Sequence, residues 1–271
     1  MRETALLFAG PTAELFGSVH LPAGEPVQRG VVLCYPFGEE RLWVHRIYAT
    51  FSRRLAAAGV AVIRFDYAGN GDSGGTFSDS TLETAVADAS AAVDCLRERS
   101  LCGDVALVGL RFGAVVAARL AERRHDLDRL VLWAPLLDGK QYVKELLRIN
   151  LTTQMTAYGK VLRDREQLLA AMRAGEAVNV DGYEMSLAMH DQLEAIAMPA
   201  GGPKFSGRCL IVNIDGATAP RPRPDLEAVA AAYGGELTTV PENPFWKEID
   251  AHDDAAPRLA SATTEWLERN P

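Results

Sequence analysis

The sequence predicts an α/β domain, with a mostly parallel central sheet flanked by helices and a helical cap inserted in its second half. Two observations predict the sheet and a third the cap. Short apolar runs of four to six residues recur along the chain without polar alternation, which is what a strand buried on both faces requires. Helical patterns separate most of these runs, and strands alternating with helices stack as a parallel sheet covered on both sides. Between Pro135 and Gly207 the alternation stops and helical segments take over. The 271 residues and the apolar fraction of 48% suffice for one such domain and an excursion from it. The core is therefore expected over 1–134 and 208–271, and the cap over 135–207.

An antiparallel pair opens the chain, Ala5–Phe8 and Glu14–Leu21, around a turn at Gly10-Pro11. Buried strands then fall at Val31–Cys34, Val60–Phe65, Val105–Gly109, Leu130–Trp133, Leu210–Asn213 and Leu237–Val240. Helices are expected over roughly Arg46–Ala58, Thr81–Arg97, Phe112–Glu122, Pro224–Tyr233 and Ala255–Leu267. Within the second of these, Leu82, Val86, Ala89, Val93 and Leu96 recur every three or four positions and form one buried stripe. In the cap, Val143, Leu147, Leu151, Met155, Tyr158 and Leu162 follow helical spacing, and Gln167–Arg173 continues it. Packing against the main domain is the expectation for this stripe, ahead of contact with a ligand. Gly201-Gly202-Pro203 marks the return to the sheet.

With 28 basic and 36 acidic residues the net charge is −8, and no basic block follows a phosphate backbone, so nucleic acid is not expected as a partner. Met1-Arg2-Glu3-Thr4 opens no targeting segment, and no run reaches the roughly 20 apolar residues that a membrane span needs. The expected location is cytoplasmic. Cys34, Cys95, Cys102 and Cys209 form no CxxC pair; Cys34 and Cys209 sit in apolar runs, where a free thiol packs as a small hydrophobe. A reducing compartment fits, and the sequence calls for no metal and no cofactor.

The strongest local feature is Val105 to Ala114, a buried strand that passes through Gly109-Leu110-Arg111-Phe112-Gly113 into a helix. This is the nucleophile-elbow pattern G-x-S-x-G with arginine in the place of serine. Glycine is needed on both flanks because the strand turns sharply into the helix and leaves no room for side chains there. A second segment, Asp66-Tyr67-Ala68-Gly69-Asn70-Gly71-Asp72-Ser73-Gly74-Gly75, follows the strand ending at Phe65, and a third, Tyr35-Pro36-Phe37-Gly38, follows the first core strand.

In this order the three segments resemble the α/β-hydrolase superfamily, and Asp66 to Gly75 resembles the D-x-x-G-x-G-x-S-x-G segment of its serine aminopeptidase-like branch. The resemblance covers nearly the whole chain. It implies the α/β-hydrolase fold, a backbone oxyanion donor near Phe37 with a second at Phe112, an acid after the penultimate strand and a histidine after the last. At finer grain, Glu39-Glu40 with Trp43-Val44-His45-Arg46, the Gly-Leu-Arg-Phe-Gly elbow, Val180-Asp181-Gly182-Tyr183 and Pro244-Phe245-Trp246 are similar to the exosortase A system-associated hydrolases of the second type.

The departures from that pattern bear directly on function. A hydrolytic triad needs an activatable nucleophile, a histidine base and a carboxylate that orients it. Arginine stays protonated and has no lone pair to offer. Asp215 stands where the acid belongs, but the chain after the last strand reads Pro241-Glu242-Asn243-Pro244-Phe245-Trp246, without histidine. His252 lies farther along and is a displaced candidate base. His45 and Glu40, just beyond the Phe37 turn, are the remaining acid/base candidates, with helix capping as their structural alternative. Ser73 and Cys34 lie near the site without an elbow to present them.

An arginine at a helix N-terminus, with its planar fork of donors, makes an anion site. The alternative is an internal salt bridge from Arg111 to Asp215, Glu39 or Glu40 that closes the old active site. Three functions follow. One is binding of an anionic or acyl-linked small molecule under the cap, with a degenerate triad. Another is hydrolysis of esters, thioesters or amides by an unconventional base and water. The third is a protein-interaction scaffold in a biosynthetic or export pathway, with a protein partner or homo-oligomer, which requires a filled cleft and an exposed apolar patch elsewhere.

Overall fold

A computed structural model describes residues 1–24, 26–199, 205–217, 221–247 and 256–269. Its centre is an eight-stranded sheet assembled from β1 (Arg2–Ala9), β2 (Glu14–Leu21), β3 (Arg29–Cys34), β4 (Ala61–Phe65), β5 (Asp104–Leu110), β6 (Arg129–Trp133), β9 (Arg208–Ile214) and β10 (Glu236–Val240), in the order β1-β2-β4-β3-β5-β6-β9-β10. The first two strands are antiparallel to each other, and β2 is antiparallel to β4; every other pairing is parallel. Parallel strands leave their carboxyl ends on one edge, so the turns after β3, β4, β5 and β9 converge there, and a crevice at that edge is where such sheets bind ligands.

The helices that cover the sheet are α1 (Glu40–Ala57), α2 (Leu82–Ser100), α3 (Phe112–Arg123), α7 (Pro224–Ala232) and α8 (Pro257–Arg269). Their apolar faces meet the strands in one core. At its centre Trp133 is fully buried against Tyr48 and Phe51, with ring centroids at 5.9 and 5.2 Å, and its Nε1 donates to Thr263 Oγ1 at 3.0 Å. Helix α1 begins six residues before the expected Arg46. No Ser, Thr, Asp or Asn announces that start: Glu39 is the cap residue and its side chain makes no capping bond. The early start decides which α1 side chains face the crevice.

Between β6 and β9 lie α4 (Gly139–Tyr158), α5 (Arg165–Arg173), β7 (Val178–Val180), β8 (Tyr183–Met185) and α6 (Leu187–Glu194). Asp138, Asp164 and Ser186 cap the three helices through their side chains. The excursion opens and closes at one point, where Gly139 N donates to Ile196 O and Met198 N to Leu137 O. It is not purely helical. Asp181 and Gly182, both with positive φ (54° and 91°), form a two-residue turn that pairs β7 with β8 antiparallel, the backbone that an Asp-Gly hairpin turn demands. The helical stripe also divides. Val143 and Leu147 are buried, but Met155 and Tyr158 are 50% and 63% exposed, and Leu162, beyond the cap residue Gly159 that ends α4, is 51% exposed. Those three do not pack on the main domain. The expected return at Gly201-Gly202-Pro203 lies outside the described residues.

Among the described residues no helix is long and apolar enough to cross a membrane, and no group of three or more His, Cys, Asp or Glu is placed to hold a metal ion. All four cysteines are free and buried. Burial pushes the Cys34 thiol up to about 12, which makes it a poor nucleophile.

Backbone packing is tight at the β5–α3 turn. A Cβ on Gly109 would drive into the carbonyl of Gly113, and a Cβ on Gly113 into the carbonyls of Cys34 and Tyr35. Helix α3 can approach the sheet this closely only without those side chains. Gly113→Ala is therefore expected to lower stability by about 3 kcal/mol, at the upper end of overpacking costs, as read from the urea midpoint. Gly103→Ala, whose added methyl meets open space, is expected to stay within about 0.5 kcal/mol of the parent. Equal effects would contradict the packing described.

Candidate functional site

The site grows from the turn that those glycines permit. Strand β5 ends at Leu110 and α3 begins at Phe112, which leaves Arg111 alone between them at φ 56°, ψ −116°. A side chain at positive φ in that region costs of order 1–3 kcal/mol and persists only where its surroundings impose it. Here the Arg111 N–H donates to Trp133 O at 3.0 Å, which ties the turn to β6. The backbone N–H groups of Phe112 and Phe37 donate to no described residue. Their rings pack against each other with centroids at 5.8 Å, which holds the Phe37 turn over the start of α3.

The guanidinium is held on three sides. Its Nε donates to Glu40 Oε1 at 3.4 Å, and its carbon lies 5.5 Å from the ring centre of Tyr142 and 5.6 Å from that of Trp246. Cation–π contacts of this length favour the charge without using its N–H donors. Among the described residues the two terminal nitrogens make no hydrogen bond. The ion pair is thus one long contact through Nε and leaves the outward fork of the guanidinium available.

Glu40 sits in the first turn of α1 with its side chain 19% exposed, yet its Oε2 is shut off from solvent and has no hydrogen-bond partner. Burial pushes its carboxyl up to about 7; Arg111 and then Lys247 pull it down, while Glu145 opposes them. Burial prevails because a single 3.4 Å contact does not replace the water that a carboxylate loses. The Tyr142 hydroxyl and Trp246 Nε1 are likewise buried without partners, an unusual concentration of unsatisfied polar atoms around one arginine.

Beside these groups opens a cavity of about 300 Å³. Phe37, Trp43, Tyr142, Ile149, Val180 and Trp246 give it an apolar, aromatic part, and Arg111 and Glu40 stand in its wall. Charges of both signs mark its margin: Glu145 and Arg148 from α4, Glu39 before α1, Asp181 from the hairpin turn and Lys247 near the C-terminal segment. The arrangement can hold a ligand with an apolar body and an anionic head against the free guanidinium edge.

Of the residues singled out in the sequence, Arg111, Glu40 and Phe37 converge here, with Phe112 beneath the turn. The others do not. Asp215 follows β9 as expected, but its Oδ1 accepts from Ala217 N at 2.9 Å and no Arg111–Asp215 pair forms. His45 lies five positions beyond Glu40 on α1, about 140° around the helix, and faces away from the cavity. Its Nδ1 is 3.4 Å from the Tyr35 hydroxyl and its Nε2 3.5 Å from Arg64. His252 lies outside the described residues. Ser73 braces its own loop, donating to Asp66 O and accepting from Phe16 N. After β10, Glu242 accepts from Arg258 N and Leu259 N at the start of α8. Tyr142, Glu145, Arg148 and Lys247 were not singled out in the sequence. They reach the site through tertiary structure, and only the neighbouring Val143 and Leu147 stripe hinted at the face of α4 that turns inward.

Residues 31–196 match the family described as serine aminopeptidase, S33. No curated protein matches significantly in sequence. Among solved structures, Est1E from Butyrivibrio proteoclasticus with bound ferulic acid is similar at 21% identity and a TM-score of 0.71, over 98% of this chain and 99% of that one. A putative hydrolase from Agrobacterium vitis S4 is similar at 20% identity and a TM-score of 0.59, over 97% and 98%. An α/β serine hydrolase without lid from Xanthomonas campestris is similar at 17% identity and a TM-score of 0.60, over 99% and 95%. At such identities the likeness is one of fold. With the family match over more than half of its length, the chain belongs to the serine aminopeptidase S33 family of α/β hydrolases.

Proposed function

We propose that this chain binds an anionic or acyl-linked small molecule, carboxylate first, at Arg111, and does not perform serine-triad hydrolysis. The observation that carries this is the free edge of the Arg111 guanidinium in the wall of an aromatic cavity. A planar fork of charged donors with little competition from water recognises a carboxylate well. Residues 135–207 act as the cap over the ligand. The finer likeness to exosortase A system-associated hydrolases, and a cytoplasmic site of action, belong to this proposal.

The ferulic acid held by Est1E is an aromatic carboxylate, and the walls formed here by Trp43, Tyr142 and Trp246 suit a ring of that kind, so ferulate is a natural first probe. Loss of one charged hydrogen-bonded partner costs on the order of 2 kcal/mol, so Arg111→Ala is expected to weaken ferulate binding roughly 30-fold. Arg111→Lys is expected to weaken it as well, since a point charge does not reproduce the fork. The measurement is calorimetric titration of the three proteins at two salt concentrations; equal affinities would remove Arg111 from the site.

A second reading, an ester or thioester hydrolase that activates water through Glu40, is favoured by one observation: the Glu40 carboxyl stands near the pH range in which a general base is most useful. The two readings part on reactivity. The proposed binder should not be labelled by a fluorophosphonate probe and should not cleave short activated esters. Arg111→Ser should restore neither activity, because a nucleophile without a base recovers little of a triad's rate. Wild-type ester turnover that disappears in Glu40→Gln would establish the second reading instead, and labelling of a single serine by intact mass would expose a hidden nucleophile.

A further inference from the structure

We infer that the site takes up its anion together with a proton, and that Glu40 is the group that receives it. This rests on the anion-binding reading above and adds its regulation. The geometry is a shared cation. Arg111 serves Glu40 through Nε on one side and the cavity through its terminal nitrogens on the other. While Glu40 is ionised, part of the arginine charge is already neutralised, and a bound carboxylate adds a second negative charge near the first. Two carboxylates around one guanidinium, out of water, do not both stay ionised without cost.

The structure shows where a proton would go. Glu40 Oε2 is buried and makes no hydrogen bond, a poor environment for a charged oxygen and a tolerable one for a carboxylic acid. Oε1 remains free to accept from Arg111 Nε when the other oxygen is protonated. The free carboxyl, at about 7, stands close to the point at which it exchanges its proton. The charged and titratable groups that face it are Arg111 from the β5–α3 turn, Tyr142 and Glu145 from α4, and Lys247 from the C-terminal segment. Glu39, Asp181 and Arg148 stand farther out at the cavity margin. Tyr142 is pushed well above its ordinary range by burial and so stays neutral; Glu39 at the margin is also raised by burial and by Asp181, but Glu40 is the carboxyl in direct contact with Arg111.

The direction follows from linkage. An anion next to Glu40 raises its pKa further, so the complex binds more protons than the free protein between the two values. Affinity is then highest below about pH 7 and falls as pH rises through the free-state value. A ligand whose own charge is constant isolates the effect, and 3-phenylpropanoate, ionised throughout the range, is the probe. Calorimetry at pH 6, 7 and 8, in buffers of different ionisation enthalpy, is expected to show dissociation constants rising on the order of tenfold from pH 6 to pH 8. Uptake should rise from about half a proton per ligand at pH 7 toward one at pH 8. In Glu40→Gln the affinity should be flat with pH, near the wild-type value at pH 6, with no proton uptake.

Wild-type binding without pH dependence or proton uptake would overturn the inference and leave the anion site standing. Proton uptake that persists in Glu40→Gln would overturn it too, by assigning the proton elsewhere. Absence of 3-phenylpropanoate and ferulate binding at every pH would sink the anion-binding reading, and this inference with it. The wild-type proton count requires no variant, so the idea remains testable if Glu40→Gln folds poorly.

Discussion

The site depends on the contact between the start of α3 and the ends of β3 and β5, where the backbone of Gly113 lies against the carbonyls of Cys34 and Tyr35. That approach leaves a single residue to complete the turn from strand to helix, and it must do so at positive φ. Whatever side chain stands there is projected from the carboxyl edge of the sheet, beside the first N–H groups of the helix. In a hydrolase of this fold that geometry presents a nucleophile. Here it presents a permanent cation, and the conformational strain at Arg111 sustains a position from which a guanidinium reaches the cavity. Trp133 contributes twice, through its carbonyl to the Arg111 N–H and through its ring to the core behind it.

Around that cation the electrostatics are balanced, not saturated. A bidentate pair with Glu40 would have used the guanidinium and closed the site, and buried pairs of that kind need not stabilise a fold. The single Nε contact at 3.4 Å instead orients the arginine while its faces rest near Tyr142 and Trp246. The internal salt bridge and the open cleft, set against each other in the sequence, are both present: Glu40 takes one edge of Arg111 and the cavity has the other. A filled cleft, which a pure scaffold requires, is not what surrounds this arginine. Met155 and Tyr158 near the end of α4 and Leu162 just beyond it are exposed apolar residues of the kind the scaffold reading calls for, but that reading also requires the filled cleft.

Much of the frame was legible because it follows from local rules. The core strands β3, β4, β5, β6 and β9 lie within one or two residues of their apolar runs, since strands buried on both faces tolerate such continuity; the last, expected buried over Leu237–Val240, is instead the edge strand β10, in which only Val240 is buried. The β5–α3 turn was legible because few backbones need glycine at both Gly109 and Gly113. Less legible was the start of α1, which carries no capping side chain, and with it the inward placement of Glu40 and the outward one of His45. The β7–β8 hairpin had a signal in Asp181-Gly182, flanked by alternating residues, but its strands are only three residues long. Helical periodicity correctly placed Met155 and Tyr158 on one face of α4, yet periodicity cannot say whether anything covers that face. Tyr142 and Trp246 meet Arg111 from distant parts of the chain, and no spacing rule encodes such a meeting.

The central claim is that the free edge of Arg111 receives an anionic head while the aromatic walls receive its body. A crystal structure of the wild-type protein with ferulate, grown near pH 6, tests it most directly. The account predicts the carboxylate within hydrogen-bond distance of the terminal nitrogens of Arg111, its ring among Trp43, Tyr142 and Trp246, and the Nε contact to Glu40 retained. Ferulate bound away from Arg111, or a second acidic side chain closed onto those nitrogens with the cavity lost, would contradict it.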